Sequence, residues 1–158
     1  MAFNKDEANR QALILDDLTI LEKALACDFV GVALQKQKGL EITWPFVRGN
    51  RNEKYKYISI RYGKGIAGKV IATGSPMEIN LFPVNISGKS TDYPIMLAEQ
   101  LNSAYALPLY WNGIPKGALL IASRTGHFFT EDEKRSADHI KRQIESHLPE
   151  YFNQGEEG

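Results

Sequence analysis

The sequence has a single cysteine, Cys27, in 158 residues. One thiol excludes an internal disulfide framework and a cysteine-based metal cage. An excess of one charge is also lacking: Lys plus Arg and Asp plus Glu each number 19. Binding to nucleic acid draws on surplus cations that displace counterions from phosphates, and a polybasic membrane anchor needs the same surplus. Neither partner is expected. No apolar run approaches the roughly 18 residues that span a bilayer. Met1 to Arg10 is polar and carries no apolar signal-peptide core. These absences predict a cytoplasmic protein.

Histidine is scarce as well, with His127, His139 and His147 dispersed. His139 and His147 are eight apart on a predicted helix, too far to chelate one metal. His127 is expected to be exposed. Asp138 and His139 are helix neighbours and point in different directions. Cys27, beside Asp28, has no activating cation and reads as a small buried residue. With no nucleophile beside a base and no set of metal ligands, the sequence predicts no catalytic residue and no metal site.

Regular elements are easier to find. Ile14, Leu18, Leu21 and Leu25 form one apolar stripe, which predicts a helix over 5–26, with Leu13, Ile20 and Ala24 widening the stripe. Two strands follow, over 29–34 and 40–47, joined by a Lys38-Gly39 turn. Tyr57, Ile58 and Ile60 suggest an extended segment. Gly63-Lys64-Gly65 introduces a short helix over 66–73, which Gly74 stops. A strand over 77–80 precedes the longest loop, Leu81 to Tyr93. Pro94 suits a first helical position, with a helix continuing over 95–101. Strands over 103–110 and 114–123 flank a Trp111-Asn112-Gly113 hairpin signal. Thr130 and Glu133 have capping-box spacing ahead of a final helix, whose stripe is Ala137, Ile140, Ile144 and Leu148. The order is α+β: a mostly antiparallel sheet, terminal helices on one face, and loops and short helices on the other. Residues 1–148 are expected to form one domain, and 149–158 a frayed acidic tail.

Gly63-Lys64-Gly65-Ile66-Ala67-Gly68 spells G-x-G-x-x-G. A dinucleotide site needs that motif in a parallel βαβ unit with a long helix and an acid some 20 residues on. Here the helix is short, and Glu78 comes too early. The same stretch misses a P-loop because Val70 stands where Ser or Thr would hold magnesium. What remains is a sharp turn into a helix start, whose Ile66 and Ala67 amides lack acceptors in the helix. Such amides bond to water, to a neighbouring loop, or to an anion favoured by the helix dipole. A second helix start stands at Tyr93-Pro94-Ile95-Met96. Proline has no N–H, so Ile95 offers the first free amide there. Trp44 sits near the end of the second strand and is followed by Pro45, which interrupts the ladder there. Its indole is a donor only, and its alternatives are a core position or a ligand contact.

The order of elements resembles a GAF domain, a small-ligand sensor module, over Leu13 to Leu148. The markers are Gly65-Ile66-Ala67-Gly68-Lys69-Val70 with Gly74, the strands Tyr105-Ala106-Leu107-Pro108-Leu109 and Lys116-Gly117-Ala118-Leu119-Leu120, and Phe129-Thr130-Glu131-Asp132-Glu133 before the last helix. More narrowly, the chain is similar to the stand-alone GAF nitrate receptors of bacterial nitrate regulation. That resemblance implies nitrate held by the Trp44 indole and the main-chain amides of Ile66, Ala67 and Ile95, with Tyr93, Pro94 and Met96 as walls. Ile66 stands where leucine is expected, a conservative exchange because the amide makes the contact. The resemblance also implies a sensor histidine kinase of a two-component system as partner, no cofactor besides the ligand nitrate, and no enzymatic activity. Two copies could associate through the terminal helices. The alternatives are a GAF module for another small anion or metabolite, or for dimerisation alone. Free-methionine-(R)-sulfoxide reductases share the stand-alone form, but their chemistry needs several cysteines. The candidate lining carries no Arg. Such a neutral lining suits a planar monoanion, whereas sulfate or a phosphate dianion costs more to desolvate and demands a cation.

Overall fold

Five strands pair antiparallel throughout in the order β2-β1-β5-β4-β3: β1 Phe29–Gln35, β2 Ile42–Arg48, β3 Met77–Ile79, β4 Ser103–Trp111 and β5 Ile114–Ser123. The helices are α1 Lys5–Leu25, α2 Gly65–Thr73, α3 Pro94–Ala98 and α4 Glu131–Glu150. The computed structural model describes residues 5–150, with side chains over 11–148. This is the α+β architecture that the order of elements predicts. The expected tail begins inside α4, and residues 151–158 lie outside the described residues.

Side chains alternate across a strand, so each strand supplies both faces of the sheet. Val30, Val32, Leu34, Tyr105, Leu107, Leu109, Leu119 and Ile121 face α1 and α4. There they meet Ile14, Leu18 and Leu21 of α1 and Ala137, Ile140, Ile144 and Leu148 of α4, all buried. Each fully buried aliphatic side chain of this kind contributes roughly 1.5–3 kcal/mol. Thr130 starts α4 with a reciprocal cap. Its N–H donates to Glu133 Oε1 at 2.8 Å, and the Glu133 N–H donates to Thr130 Oγ1 at 3.1 Å. His147 Nδ1 lies 2.9 Å from Asp17 Oδ2, joining α4 to α1. Burial holds the Asp17 carboxyl above its ordinary value, against the opposing pull of His147.

The opposite face carries a second core of β-strand alanines, Trp44, α2, α3 and the loops between them. The β4–β5 hairpin turns on Asn112 and Gly113, both at positive φ (55° and 75°), as the favoured two-residue turn requires.

Several boundaries differ from expectation, each for a local reason. The α1 stripe is narrower, because Leu13, Ile20 and Ala24 are exposed. β2 begins at Ile42 because Gly39 and Leu40 both take positive φ, which cannot continue a ladder. Tyr57 closes a 3-10 turn, Lys54–Tyr57, and only Ile60 pairs, with Ile42. α3 stops at Ala98, and Gln100 turns the chain at φ 53°. His127 is only half-exposed: its Nε2 meets Glu133 Oε1 at 2.9 Å, and its ring stands edge-on to Phe129.

Candidate functional site

Trp44 owes its position to an irregularity in β2. Val32 pairs with Phe46 and Leu34 with Thr43, so a two-residue step on β1 opposes a three-residue step on β2. The additional residue falls at Trp44-Pro45, where Pro45 has no N–H to pair. Strand parity therefore flips. Ile42 and Trp44 enter the loop-side core, while Phe46 enters the helix-side core. Trp44 is 3% exposed, and its Nε1 is buried with no hydrogen-bond partner among the described residues. An orphaned buried donor costs about 1–3 kcal/mol, so one in a folded protein calls for an explanation.

Two helix starts pack into the same core. α2 begins after Lys64, which gives no side-chain cap, so the Ile66 and Ala67 amides have no acceptor in their own helix. Gly65 sits at φ 64°, and a Cβ there would lie 3.4 Å from the Asp92 carbonyl oxygen. The start of α2 is thus in contact with the residue just before Tyr93, which caps α3. That second start has no side-chain cap either. The Met96 and Leu97 amides both donate to the Tyr93 carbonyl, at 3.0 and 3.3 Å, and Pro94 has no N–H. Ile95 is left as the first-turn amide without an acceptor in the helix.

Trp44, Ile66, Ala67, Tyr93, Ile95 and Met96 all belong to one buried cluster, and Pro94 is half-buried beside them. The residues singled out in the sequence therefore contribute to one core, on the loop side of the sheet. The Tyr93 hydroxyl donates to the Ser87 carbonyl at 2.8 Å, and its ring meets Phe82 edge-on at 5.9 Å. Burial keeps the Tyr93 phenol above its ordinary pKa. Lys69, in the middle of α2, places its ammonium 5.5 Å from the centre of the Tyr93 ring, a cation–π contact between α2 and the start of α3. Lys64 is exposed. The cluster therefore holds one unpaired neutral donor, the Trp44 N–H, together with two uncapped helix starts and one cation held on the Tyr93 ring.

Sequence reasoning missed an ion pair between a buried Glu99 and a half-buried Arg124. Glu99, just past α3, has no exposed surface. Its Oε1 accepts from Arg124 Nη2 and from the Arg51 N–H, both at 2.7 Å. Arg124 Nε donates to the Glu99 carbonyl at 2.9 Å, and Arg51 Nη1 to the Ala98 carbonyl at 3.2 Å. Two arginines thus satisfy carbonyls at the end of α3. Glu99 and Arg124 are 25 positions apart, and no local pattern marks such a pair.

An open groove of about 670 Å³ lies at the far end of α2, between Leu40, Tyr62, Gly74, Tyr110, Ile114 and Lys116. It contains none of the predicted site residues. Burial pushes the Cys27 thiol up to about 11, which keeps it protonated and unreactive near neutral pH. Among the described residues no three His, Cys, Asp or Glu side chains converge as a metal site, and no helix is long and apolar enough to cross a membrane.

Comparison with known proteins agrees with this architecture. A structure of NreA from Staphylococcus aureus, mutated in its nitrate-binding site, is 32% identical and has a TM-score of 0.68. The similarity covers 74% of this chain and 87% of that one. A second structure of mutated NreA is 30% identical, covers 77% of this chain and 95% of that one, and has a TM-score of 0.67. A hypothetical protein from S. aureus is 33% identical over 72% of this chain and 94% of its own, with a TM-score of 0.66. No curated protein matches. The GAF domain family matches residues 11–148, nearly the whole of the described structure. The chain belongs to the GAF family.

Proposed function

We propose that this protein is a cytoplasmic nitrate receptor, a binding protein and not an enzyme. The observation that carries the reading is the Trp44 Nε1–H, buried and unpaired in the same cluster as two uncapped helix starts. Four neutral donors would serve the ligand: this indole and the amides of Ile66, Ala67 and Ile95, with Tyr93, Pro94 and Met96 as walls. Nitrate is planar, carries one charge, and accepts at three oxygens. It needs no full counter-charge, whereas sulfate or a phosphate dianion would draw on a cation, and the one beside these walls, Lys69, is held against the Tyr93 ring. The similarity to NreA, whose structures concern a nitrate-binding site, supports the same ligand class.

A receptor of this kind reports occupancy to a partner, and a sensor histidine kinase of a two-component system fits the family resemblance. Association of two copies through α1 and α4 would use Leu13 and Ile20, which are exposed on α1.

Calorimetric titration with nitrate, nitrite, chloride and cyclic nucleotides tests the ligand. A four-atom ligand at the ceiling of about −1.5 kcal/mol per atom reaches roughly −6 kcal/mol, a dissociation constant on the order of tens of micromolar. Nitrate is expected to bind in that range, with cyclic nucleotides inert. Absence of nitrate binding, or preference for a nucleotide, would overturn the reading.

A further inference from the structure

Gly31 lies in the middle of β1, where a glycine costs strand stability and leaves space on one face. That space is filled. A Cβ on Gly31 would lie 3.2 Å from Trp44 Cε3, 3.3 Å from Trp44 Cζ3 and 3.2 Å from Phe29 Cε2. Trp44 thus sets the benzo part of its indole against the bare Gly31 backbone. In an indole, Cε3 and Cζ3 lie on the side of the bicycle opposite Nε1, and the N–H bond points outward in the ring plane. Cε3 and Cζ3 are thus the ring atoms nearest Gly31, and the Nε1 corner, across the bicycle, lies farther from it. On the side of the sheet that Trp44 occupies lie α2 and α3.

We propose that Gly31 is a positioning residue for the ligand: it seats the benzo ring of Trp44 and so fixes where the indole N–H meets the anion. This rests on the nitrate reading above. Residues 29–35 are buried without exception, so β1 cannot retreat to make room for a side chain. A methyl at Gly31 would move the ring by a few tenths of an ångström, and a larger group would move it further. Hydrogen bonds weaken steeply with misalignment, so nitrate binding should fall in step with the size of the added group.

The test uses ¹⁵N-labelled protein and nitrate itself. Two indole N–H resonances are expected, from Trp44 and Trp111, and Trp111→Phe assigns them. In the wild type, the Trp44 resonance should move on nitrate addition. If it does not, the nitrate reading fails whatever Gly31 does. If it does, Gly31→Ala should weaken nitrate binding by about three- to tenfold, and Gly31→Val by more. That weakening should vanish when Trp44 is already Phe, because the effect runs through the indole. Unchanged affinity in folded Gly31→Ala, or an equal loss in the Trp44→Phe background, would overturn the proposal. Should the Gly31 variants fail to fold, the wild type still decides. Nuclear Overhauser contacts from the Gly31 α-protons should reach the Trp44 Cε3 and Cζ3 protons with nitrate bound. Contacts to the indole N–H instead would overturn the assignment.

Discussion

The two faces of the sheet come from the same five strands and are filled in opposite ways. Toward α1 and α4, β1, β4 and β5 present Val30, Val32, Leu34, Leu107, Leu109, Leu119 and Ile121. Toward α2 and α3 they present Ala33, Ala104, Ala106, Ala118 and Ala122, with Gly31 at the foot of Trp44. The helix face is packed with branched side chains against two long helices. The loop face mixes these alanines with Phe29 of β1 and Leu120 of β5, and is covered by a five-residue helix and a nine-residue helix. Among the described residues, four buried side-chain atoms lack partners: Trp44 Nε1, Asn80 Oδ1, Glu99 Oε2 and Asn102 Oδ1. None belongs to α1 or α4. The helix face is thus closed by two long helices, while the loop face leaves the Trp44 N–H without a partner among the described residues. Such a division lets a receptor bind a small polar ligand without loosening the core that holds its shape.

On the loop face, the Glu99–Arg124 pair ties the end of α3 to the end of β5. Arg124→Ala should therefore be the most damaging change. Removing one partner of a buried pair costs about 3–5 kcal/mol, because the remaining charge is left uncompensated. Urea denaturation should show that loss, and nitrate affinity should fall with it as the end of α3 comes free. A loss below about 1 kcal/mol would mean that solvent readily replaces Arg124. Leu18→Ala, on the helix face, should come next. Truncating a buried leucine costs roughly 2–5 kcal/mol, but here nitrate affinity should stay within about twofold of wild type. Equal damage to binding from both substitutions would break the distinction between the faces.

The helix face was also the more legible in the sequence. Its stripes repeat at helical spacing, and Ile14, Leu18, Leu21, Ala137, Ile140, Ile144 and Leu148 are all buried as that spacing predicts. The Thr130–Glu133 box and the Asn112-Gly113 turn are local signals that tertiary context leaves intact. The loop face was read through exceptions: a literal glycine motif with the wrong surroundings, a proline at a helix start, a tryptophan before a proline. These pointed at residues of the loop-side core but not at their geometry. The parity flip at Trp44-Pro45 depends on β1, and the Glu99–Arg124 pair depends on how α3 meets β5. The role of Gly31 was invisible because a glycine in a strand gives no sign of which neighbour fills its space.

Trp44→Phe sharpens the comparison at its centre. Phenylalanine retains much of the ring and removes the single side-chain donor. A hydrogen bond to a charged ligand contributes roughly 1.5–3 kcal/mol, so nitrate affinity should drop about tenfold or more by calorimetry. Stability without nitrate should change much less, because the unpaired N–H disappears along with some packing. A large stability loss with intact affinity would make Trp44 a core residue outside the site.

The smallest effect concerns an edge of the helix face. Burial raises the Glu133 carboxyl, but the Thr130 N–H and His127 outweigh it and bring the group below its ordinary value. A carboxyl lowered by folding adds stability above its unfolded pKa and loses that contribution as pH falls through the folded value. Glu133→Gln keeps an acceptor for the Thr130 N–H and removes the negative charge at the start of α4. At about pH 7 it should cost roughly 0.3–1 kcal/mol, the usual worth of a charge at a helix terminus. Toward about pH 3 wild type and variant should converge, since the wild-type carboxyl is then becoming protonated. Urea midpoints across that range provide the check. Convergence with nitrate affinity unchanged would place charge at this edge in the stability account alone. A gap that persists in acid would assign the effect to the geometry of the cap. A change in affinity would show that α4 communicates with the loop face through β4, and the two faces would then have to be treated as one coupled unit.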